Sequence, residues 1–127
     1  MELDVREHAF LLASHSINYS FVRIKGLANL LHGGTGMFVD RFITQQYPGL
    51  LLLHGNGNVL ERTLRPGEKI LVEPGGYLYR DSSVTMNTVQ LPLKTGMFGR
   101  HGMYLAEMTG PGRVGIQSMY HHHGSGE

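Results

Sequence analysis

The feature that most constrains the fold of this chain is an internal repeat. A shift of 67 residues takes Leu3 to Ile70 and continues along a series of mostly apolar matches. The series pairs Val5 with Val72, Phe10 with Tyr77, Leu11 with Leu78, Ile17 with Val84 and Val22 with Val89. Because the copies match in the order of their apolar residues and turns, we expect one unit at about residues 1–62 and a second at about 68–123.

The repeat continues after small gaps. Gly36-Met37-Phe38-Val39 lies over Gly102-Met103-Tyr104-Leu105, and Tyr47-Pro48-Gly49 lies over Gly110-Pro111-Gly112. The tight turn Arg65-Pro66-Gly67 joins the two copies. A small β unit that cannot close its own sheet can complete it against its twin or against another subunit. The repeat therefore also predicts a homo-oligomer.

Large apolar side chains alternate with polar ones in several segments, which is typical of half-buried strands. The clearest examples are Ile17, Tyr19 and Phe21, then Phe38 and Phe42, then Leu60 and Leu64. Helical spacing is limited to Leu27-Ala28-Asn29-Leu30-Leu31, which glycines confine to at most two turns. The sequence predicts a single all-β domain over residues 1–127, an internally duplicated antiparallel β-sandwich with little or no helix.

Turn signals separate the apolar segments. Pro-Gly pairs follow Tyr47, Arg65, Glu73 and Gly110, and each combines a fixed φ with a residue that accepts positive φ. Asn56-Gly57 is the clearest hairpin signal. It predicts that residues 50–54 and 59–64 are antiparallel neighbours.

Composition excludes several classes of protein. The chain has no cysteine, which excludes a disulfide scaffold, a thiolate zinc site and a cysteine nucleophile. A net charge of +1 argues against a dedicated nucleic-acid binder. No segment reaches the roughly 18 apolar residues of a membrane span, and the N-terminus lacks the pattern of a signal or transit peptide. We expect a cytoplasmic protein without an integral membrane segment.

The histidines raise the question of a metal site. We interpret His121-His122-His123 as part of a solvated terminus, because adjacent strand positions point to opposite faces. A cupin-like β domain that binds a metal or small molecule and has enzymatic activity is the alternative, suggested by His54, Glu61 and Glu68. The paired His-x-His of such a site is missing, so we predict no metal, no cofactor and no catalytic residues.

Two further patterns suggest anion or nucleic-acid binding. The glycine-rich runs at 32–36 and 54–57 resemble phosphate cradles, but strand patterns follow them and no P-loop lysine completes them. A stack of arginines and tyrosines could hold single-stranded nucleic acid. Its members are Arg62, Arg80, Arg100, Tyr77, Tyr79 and Tyr104. Turn glycines and a near-neutral charge favour the structural interpretation in both cases.

Four segments resemble one known family. They are Val22 to Phe38 with its Lys25-Gly26-Leu27 and Gly33-Gly34-Thr35-Gly36-Met37-Phe38, Leu52 to Val59, Leu64 to Val72, and Thr109-Gly110-Pro111-Gly112 to Ser118. Together they are similar to the altered-inheritance-of-mitochondria (mitochondrial biogenesis) family, whose members have a TRAP-like β fold. The resemblance implies tandem TRAP-like units in a bacterial-type member and no catalytic motif. It corresponds to the C-terminal portion of the family, whose members usually carry an additional N-terminal part.

Together, the residues and the resemblance predict a non-enzymatic oligomeric scaffold or binding module. Its expected partners are copies of itself or other proteins, not nucleic acid.

Overall fold

The computed structural model of the chain describes residues 1–24, 37–91 and 103–119. Its strands are β1 (Glu2–Arg6), β2 (Phe10–Ala13), β3 (Asn18–Ile24), β4 (Met37–Ile43), β5 (Leu51–Leu53), β6 (Val59–Leu64), β7 (Lys69–Val72), β8 (Tyr77–Asp81), β9 (Thr85–Leu91), β10 (Met103–Thr109) and β11 (Gly112–Gln117). A 3-10 turn at Pro74–Gly76 precedes β8, and the described residues contain no α-helix. The predicted all-β class is confirmed, while the helix candidate at 27–31 lies outside the described residues.

The strands form three antiparallel sheets. The largest has six strands in the order β3-β4-β1-β8-β11-β6, so that β8 and β11 lie between β1 and β6. A second sheet has the order β7-β10-β9, and a third consists of β2 and β5. Every described pair of strands is antiparallel, as predicted.

The six-stranded sheet is buried on both faces, because its strands carry apolar side chains at alternate positions. On one face Val39, Leu64 and Val114 pack with residues of the three-stranded sheet, including Met108. On the other face Val5 and Phe42 pack with residues on and beside β2 and β5, namely Ala9, Leu51 and Leu53. The three-stranded and two-stranded sheets therefore lie on opposite faces of the central sheet.

Two groups of three strands are paired in the same way. In β3-β4-β1, Asn18 is opposite Ile43, and Ile43 is opposite Glu2. In β9-β10-β7, Thr85 is opposite Thr109, and Thr109 is opposite Lys69. Each of these residues lies 66 or 67 positions after its counterpart.

The pairs β2-β5 and β8-β11 also correspond. Phe10 and Leu12 are opposite Leu53 and Leu52, with an irregularity at the residue between them. Tyr77 and Tyr79 are opposite Ile116 and Gly115, with the same irregularity. A hydrogen bond is repeated as well, because the backbone N–H of Leu50 donates to Ser14 Oγ and that of Arg113 donates to Asp81 Oδ2.

The predicted hairpin at Asn56-Gly57 is wrong. β5 pairs with β2 and β6 pairs with β11, so the turn crosses from one sheet to another. Gly57 has a φ of 75°, which fits the turn itself. The backbone N–H of Asn56 donates to Gln117 Oε1, and the carbonyl of Asn58 accepts from Ser118. Contacts with the end of β11 thus replace the expected hairpin bonds.

The predicted burial of alternate residues is right in part. Phe42 and Leu64 are buried as expected, but Tyr19 and Leu60 are exposed. Both exposed residues lie on edge strands of the six-stranded sheet, β3 and β6, where the neighbouring layer does not fully cover them. Tyr19 packs its ring against Phe42, with centroids 5.6 Å apart, and its hydroxyl donates to Asp40.

We expect Gly115→Ala to destabilise the protein, because the ring of Tyr79 lies directly over Gly115. A Cβ at Gly115 would come within 2.0 Å of Tyr79 Cε2. Overpacking of this kind costs about 1–3 kcal/mol of unfolding free energy. The control is Gly76→Ala, whose Cβ would lie 3.4 Å from its nearest neighbours. Urea denaturation should show a clearly larger loss for Gly115→Ala, and equal losses would contradict this packing.

Candidate functional site

A buried ion cluster lies at the centre of the six-stranded sheet. Asp4 of β1 is fully buried and is flanked by Arg41 of β4 and Arg80 of β8. Arg41 Nε donates to Asp4 Oδ1 at 2.7 Å and Arg41 Nη2 donates to Oδ2 at 3.0 Å. Arg80 Nη2 lies 3.1 Å from Asp4 Oδ2. One carboxylate therefore binds strands on both of its sides.

Backbone contacts extend this cluster. The Tyr77 hydroxyl donates to the Asp4 carbonyl at 2.7 Å, and Arg80 Nη1 donates to the carbonyl of Val84. Arg6, one turn of the pleat from Asp4, donates to the Pro74 carbonyl at 3.0 Å. Burial raises the pKa of Tyr77 well above its usual range and lowers the pKa of Arg6. The cluster thus ties β1 to both ends of β8.

A second ion pair joins β8 to β11. Arg113 Nη2 and Nε donate to the two oxygens of the Asp81 carboxylate at 2.9 and 3.1 Å, and the Arg113 backbone N–H donates at 2.7 Å. Burial alone would raise the pKa of Asp81, but the bonds from Arg113 outweigh it and hold that pKa below its usual range. This carboxylate is therefore ionised in the folded protein at neutral pH.

The structure separates the arginines and tyrosines that suggested a nucleic-acid stack. Tyr77 and Arg80 are buried in the core, and Tyr79 donates its hydroxyl to Glu61. Arg62 is exposed and pairs with Glu68 at 2.8 Å, and Arg100 lies outside the described residues. Bases cannot stack on the buried members of this set.

The residues of the cupin-like alternative are held by separate partners. His54 is exposed and its backbone N–H donates to the Ala9 carbonyl, Glu61 accepts from Tyr79, and Glu68 accepts from Arg62 and from the Arg65 backbone. Within residues 1–24, 37–91 and 103–119, no group of three or more His, Asp or Glu side chains could hold a metal ion. His121, His122 and His123 lie outside this part of the chain.

The loop at 54–57 does not present a ring of free N–H groups to an anion. The N–H of His54 donates to Ala9, that of Asn56 to Gln117 and that of Asn58 to Ser118. The turn-glycine interpretation is therefore the one that fits this loop. The other glycine-rich run, at 32–36, lies outside the described residues.

Large apolar side chains remain exposed on the two-stranded sheet. We call this set the β2-β5 apolar surface, and it consists of Phe10, Leu11, Leu12, Leu50 and Leu52. Leu71 of β7, at the edge of the three-stranded sheet, is also exposed. Contiguous exposed apolar groups on strand edges are typical of interaction surfaces. Sequence reasoning missed this surface, although Leu11 and Leu71 both fall at repeat positions.

No helix of the described residues is long and apolar enough to cross a membrane.

The fold and the site define a class: an all-β protein in which a central antiparallel sheet, tied by buried ion pairs, carries a smaller sheet on each face. The chain belongs to the mitochondrial biogenesis AIM24 family, whose model matches residues 1–119. The resemblance seen in the sequence is thereby confirmed.

A solved structure has the same fold. The crystal structure of protein SPYM3_0169 from Streptococcus pyogenes is similar to this chain with a TM-score of 0.66 and 20% sequence identity. The match covers 94% of this chain and 50% of that protein, so the chain spans about half its length. At this identity the likeness shows the fold alone. A search of the curated proteins finds no match.

We expect Asp4→Asn to be strongly destabilising, because it leaves two guanidiniums near a buried position without their carboxylate. Removal of one partner of a buried ion pair costs about 3–5 kcal/mol. The control is Asp40→Asn on β4, where the carboxylate is partly exposed and accepts one bond from Tyr19. Urea denaturation at fixed protein concentration should show a loss below about 1 kcal/mol for the control. A similarly small loss for Asp4→Asn would contradict a structural role for the cluster.

The Asp81–Arg113 pair predicts a loss of stability in acid. Because the pKa of Asp81 is lower in the folded protein than in the unfolded chain, the pair stabilises the fold above about pH 4 and this stabilisation disappears as pH falls. Asp81→Asn should therefore be less stable at pH 7 and should lose less stability between about pH 5 and pH 2. Thermal melts across this range test it, with Glu7→Gln as an exposed control. Parallel pH profiles for wild type and Asp81→Asn would rule out this contribution.

Proposed function

We propose that this protein is a non-enzymatic, cytoplasmic scaffold built from two TRAP-like β units, and that it acts as an assembly of several copies of the chain. The observation that carries the proposal is the exposed apolar surface on the β2-β5 sheet, at strands whose counterparts in the other half of the chain are buried.

The correspondence of strand pairing supports the duplication. The group β3-β4-β1 has the order and register of β9-β10-β7, and β2-β5 has the order and irregularity of β8-β11. Turn hydrogen bonds correspond too, since Ala9 N–H donates to the Arg6 carbonyl and Gly76 N–H to that of Glu73. A chance likeness between glycine-rich segments would not reproduce register in four separate pairs of strands.

The use of charge supports a structural role. Asp4 and Asp81 are each held by an arginine through two side-chain hydrogen bonds, and Glu68 lies between Arg62 and Arg65. Carboxylates that are held in this way fix strands against one another. The surface that remains for an outside partner on β2 and β5 is apolar, which suits a β-sheet partner better than a polar substrate.

We expect the protein to be an oligomer in solution. Light scattering coupled to size exclusion should give a mass that is a multiple of 14.1 kDa, unchanged by a chelator, because apolar strand edges and not a metal hold the copies together. Metal analysis of the same peak provides the control. A mass of 14.1 kDa would contradict the scaffold, and stoichiometric zinc, iron or manganese would favour the cupin-like alternative.

A further inference from the structure

The two halves of the chain already form one joint with each other. β1, at the edge of the group β3-β4-β1, pairs with β8 of the second half. In this joint Leu3 is opposite Asp81, Asp4 is opposite Arg80 and Val5 is opposite Tyr79. If the halves are equivalent, the second half should offer the same kind of edge.

The equivalent edge is open. The counterpart of β1 is β7, which among the described strands pairs only with β10. The counterpart of β8 is β2, which within the same part of the chain pairs only with β5. The three-stranded and two-stranded sheets are therefore the two parts that a second joint would unite.

Exposure differs between the inner joint and the open edges as this idea requires. Leu78 of β8 is 3% exposed and Asp4 of β1 is 0% exposed. Their counterparts, Leu11 of β2 and Leu71 of β7, are 61% and 48% exposed. Both open positions carry leucine, so exposed strand backbone and exposed apolar side chains occur together.

The open edges cannot meet within one chain. β7 belongs to the sheet packed on one face of the central six-stranded sheet, and β2 belongs to the sheet packed on the other face. The central sheet lies between them. A second copy of the chain is therefore the partner that can bring β2 to β7.

We propose that β7 of one copy pairs antiparallel with β2 of a second copy, with Leu71 opposite Ala13. Transfer of the inner register by 67 residues also places Ile70 opposite Ser14 and Val72 opposite Leu12. The joint rests on the self-assembly proposed above and makes one five-stranded sheet, β9-β10-β7-β2-β5. Because each copy contributes one β7 and one β2, the joint is head-to-tail and the copies close into a ring.

The two joints have different chemistry, which keeps them apart. At the inner joint Asp4 faces Arg80, and at the outer joint Leu71 faces Ala13. If β1 took β2 in place of β8, Asp4 would lose Arg80 and face Ala13 instead, and a buried charge without its partner is strongly unfavourable. The ion pair thus directs each half to its correct neighbour.

Disulfide cross-linking tests the register, and the chain has no native cysteine to interfere. Directly opposite residues of antiparallel strands have Cα atoms about 4.5–5.5 Å apart, within the range of a disulfide. Ala13→Cys and Leu71→Cys proteins are prepared separately, mixed, exchanged by unfolding and refolding, and oxidised. We expect a covalent dimer on a non-reducing gel for the mixture and at least tenfold less for either protein alone.

The control partner is Asn87→Cys. Asn87 lies in the same row of the three-stranded sheet as Leu71, opposite Glu107, but on the other edge strand, β9. A mixture of Ala13→Cys with Asn87→Cys should give no dimer. A dimer with Asn87→Cys equal to that with Leu71→Cys would overturn the proposed edge, as would the absence of a dimer with Leu71→Cys from an oligomeric protein.

A charge on β7 provides a second readout. Leu71→Lys should reduce the solution mass to 14.1 kDa, while Leu60→Lys, which alters an exposed leucine on β6, should leave the oligomer intact. Both positions are exposed in one chain, so neither change should prevent folding. An oligomeric wild type whose mass Leu71→Lys does not change would overturn this joint but not the scaffold, whereas a monomeric wild type would overturn both.

Discussion

The Asp4 carboxylate and the arginines that bind it determine how the central sheet is put together. Asp4 lies in the first strand of the chain, Arg41 lies in the strand on one side of it and Arg80 in the strand on the other. A fully buried carboxylate is tolerated only where its charge is met, so β1 is confined to the one register that meets it on both sides. Apolar packing alone would fix the face of β1 but not its neighbour, because β2 and β8 are both apolar strands of the same kind.

The position of every other sheet follows from that choice. Once β8 lies beside β1, β11 follows through its own pairing with β8, and β6 closes the row. The three-stranded sheet covers one face of this row and the two-stranded sheet covers the other. An internally paired half and an open half result from one chain, and the apolar residues left at the open edges are those whose counterparts are buried. The architecture therefore explains why a protein without an evident catalytic cluster in its described residues retains an exposed apolar surface.

Much of the fold could be predicted from the sequence because repeats and alternation are local signals. The repeat register that takes Leu3 to Ile70 also takes the pairing of β1 with β4 to that of β7 with β10. The neighbours of β5 and β6 could not be predicted, since Asn56-Gly57 specifies a turn but not which strands it connects. The ion cluster joins residues 76 positions apart, Asp4 and Arg80, and periodicity carries no information about such contacts. A signal was present, however: Asp4 and Arg80 are charged where their repeat counterparts, Leu71 and Ala13, are apolar.

Amide hydrogen exchange of the wild-type protein tests the central claim most directly. The claim is that the edges of β7 and β2 are paired in the working form of the protein although they are open in a single chain. The account predicts that the outward-facing amides of Lys69–Val72 and Phe10–Ala13 exchange as slowly as those of β1 and β8, and that their protection falls on dilution. Rapid exchange at these edges at concentrations where the protein is oligomeric, beside slow exchange in β1 and β8, would contradict it.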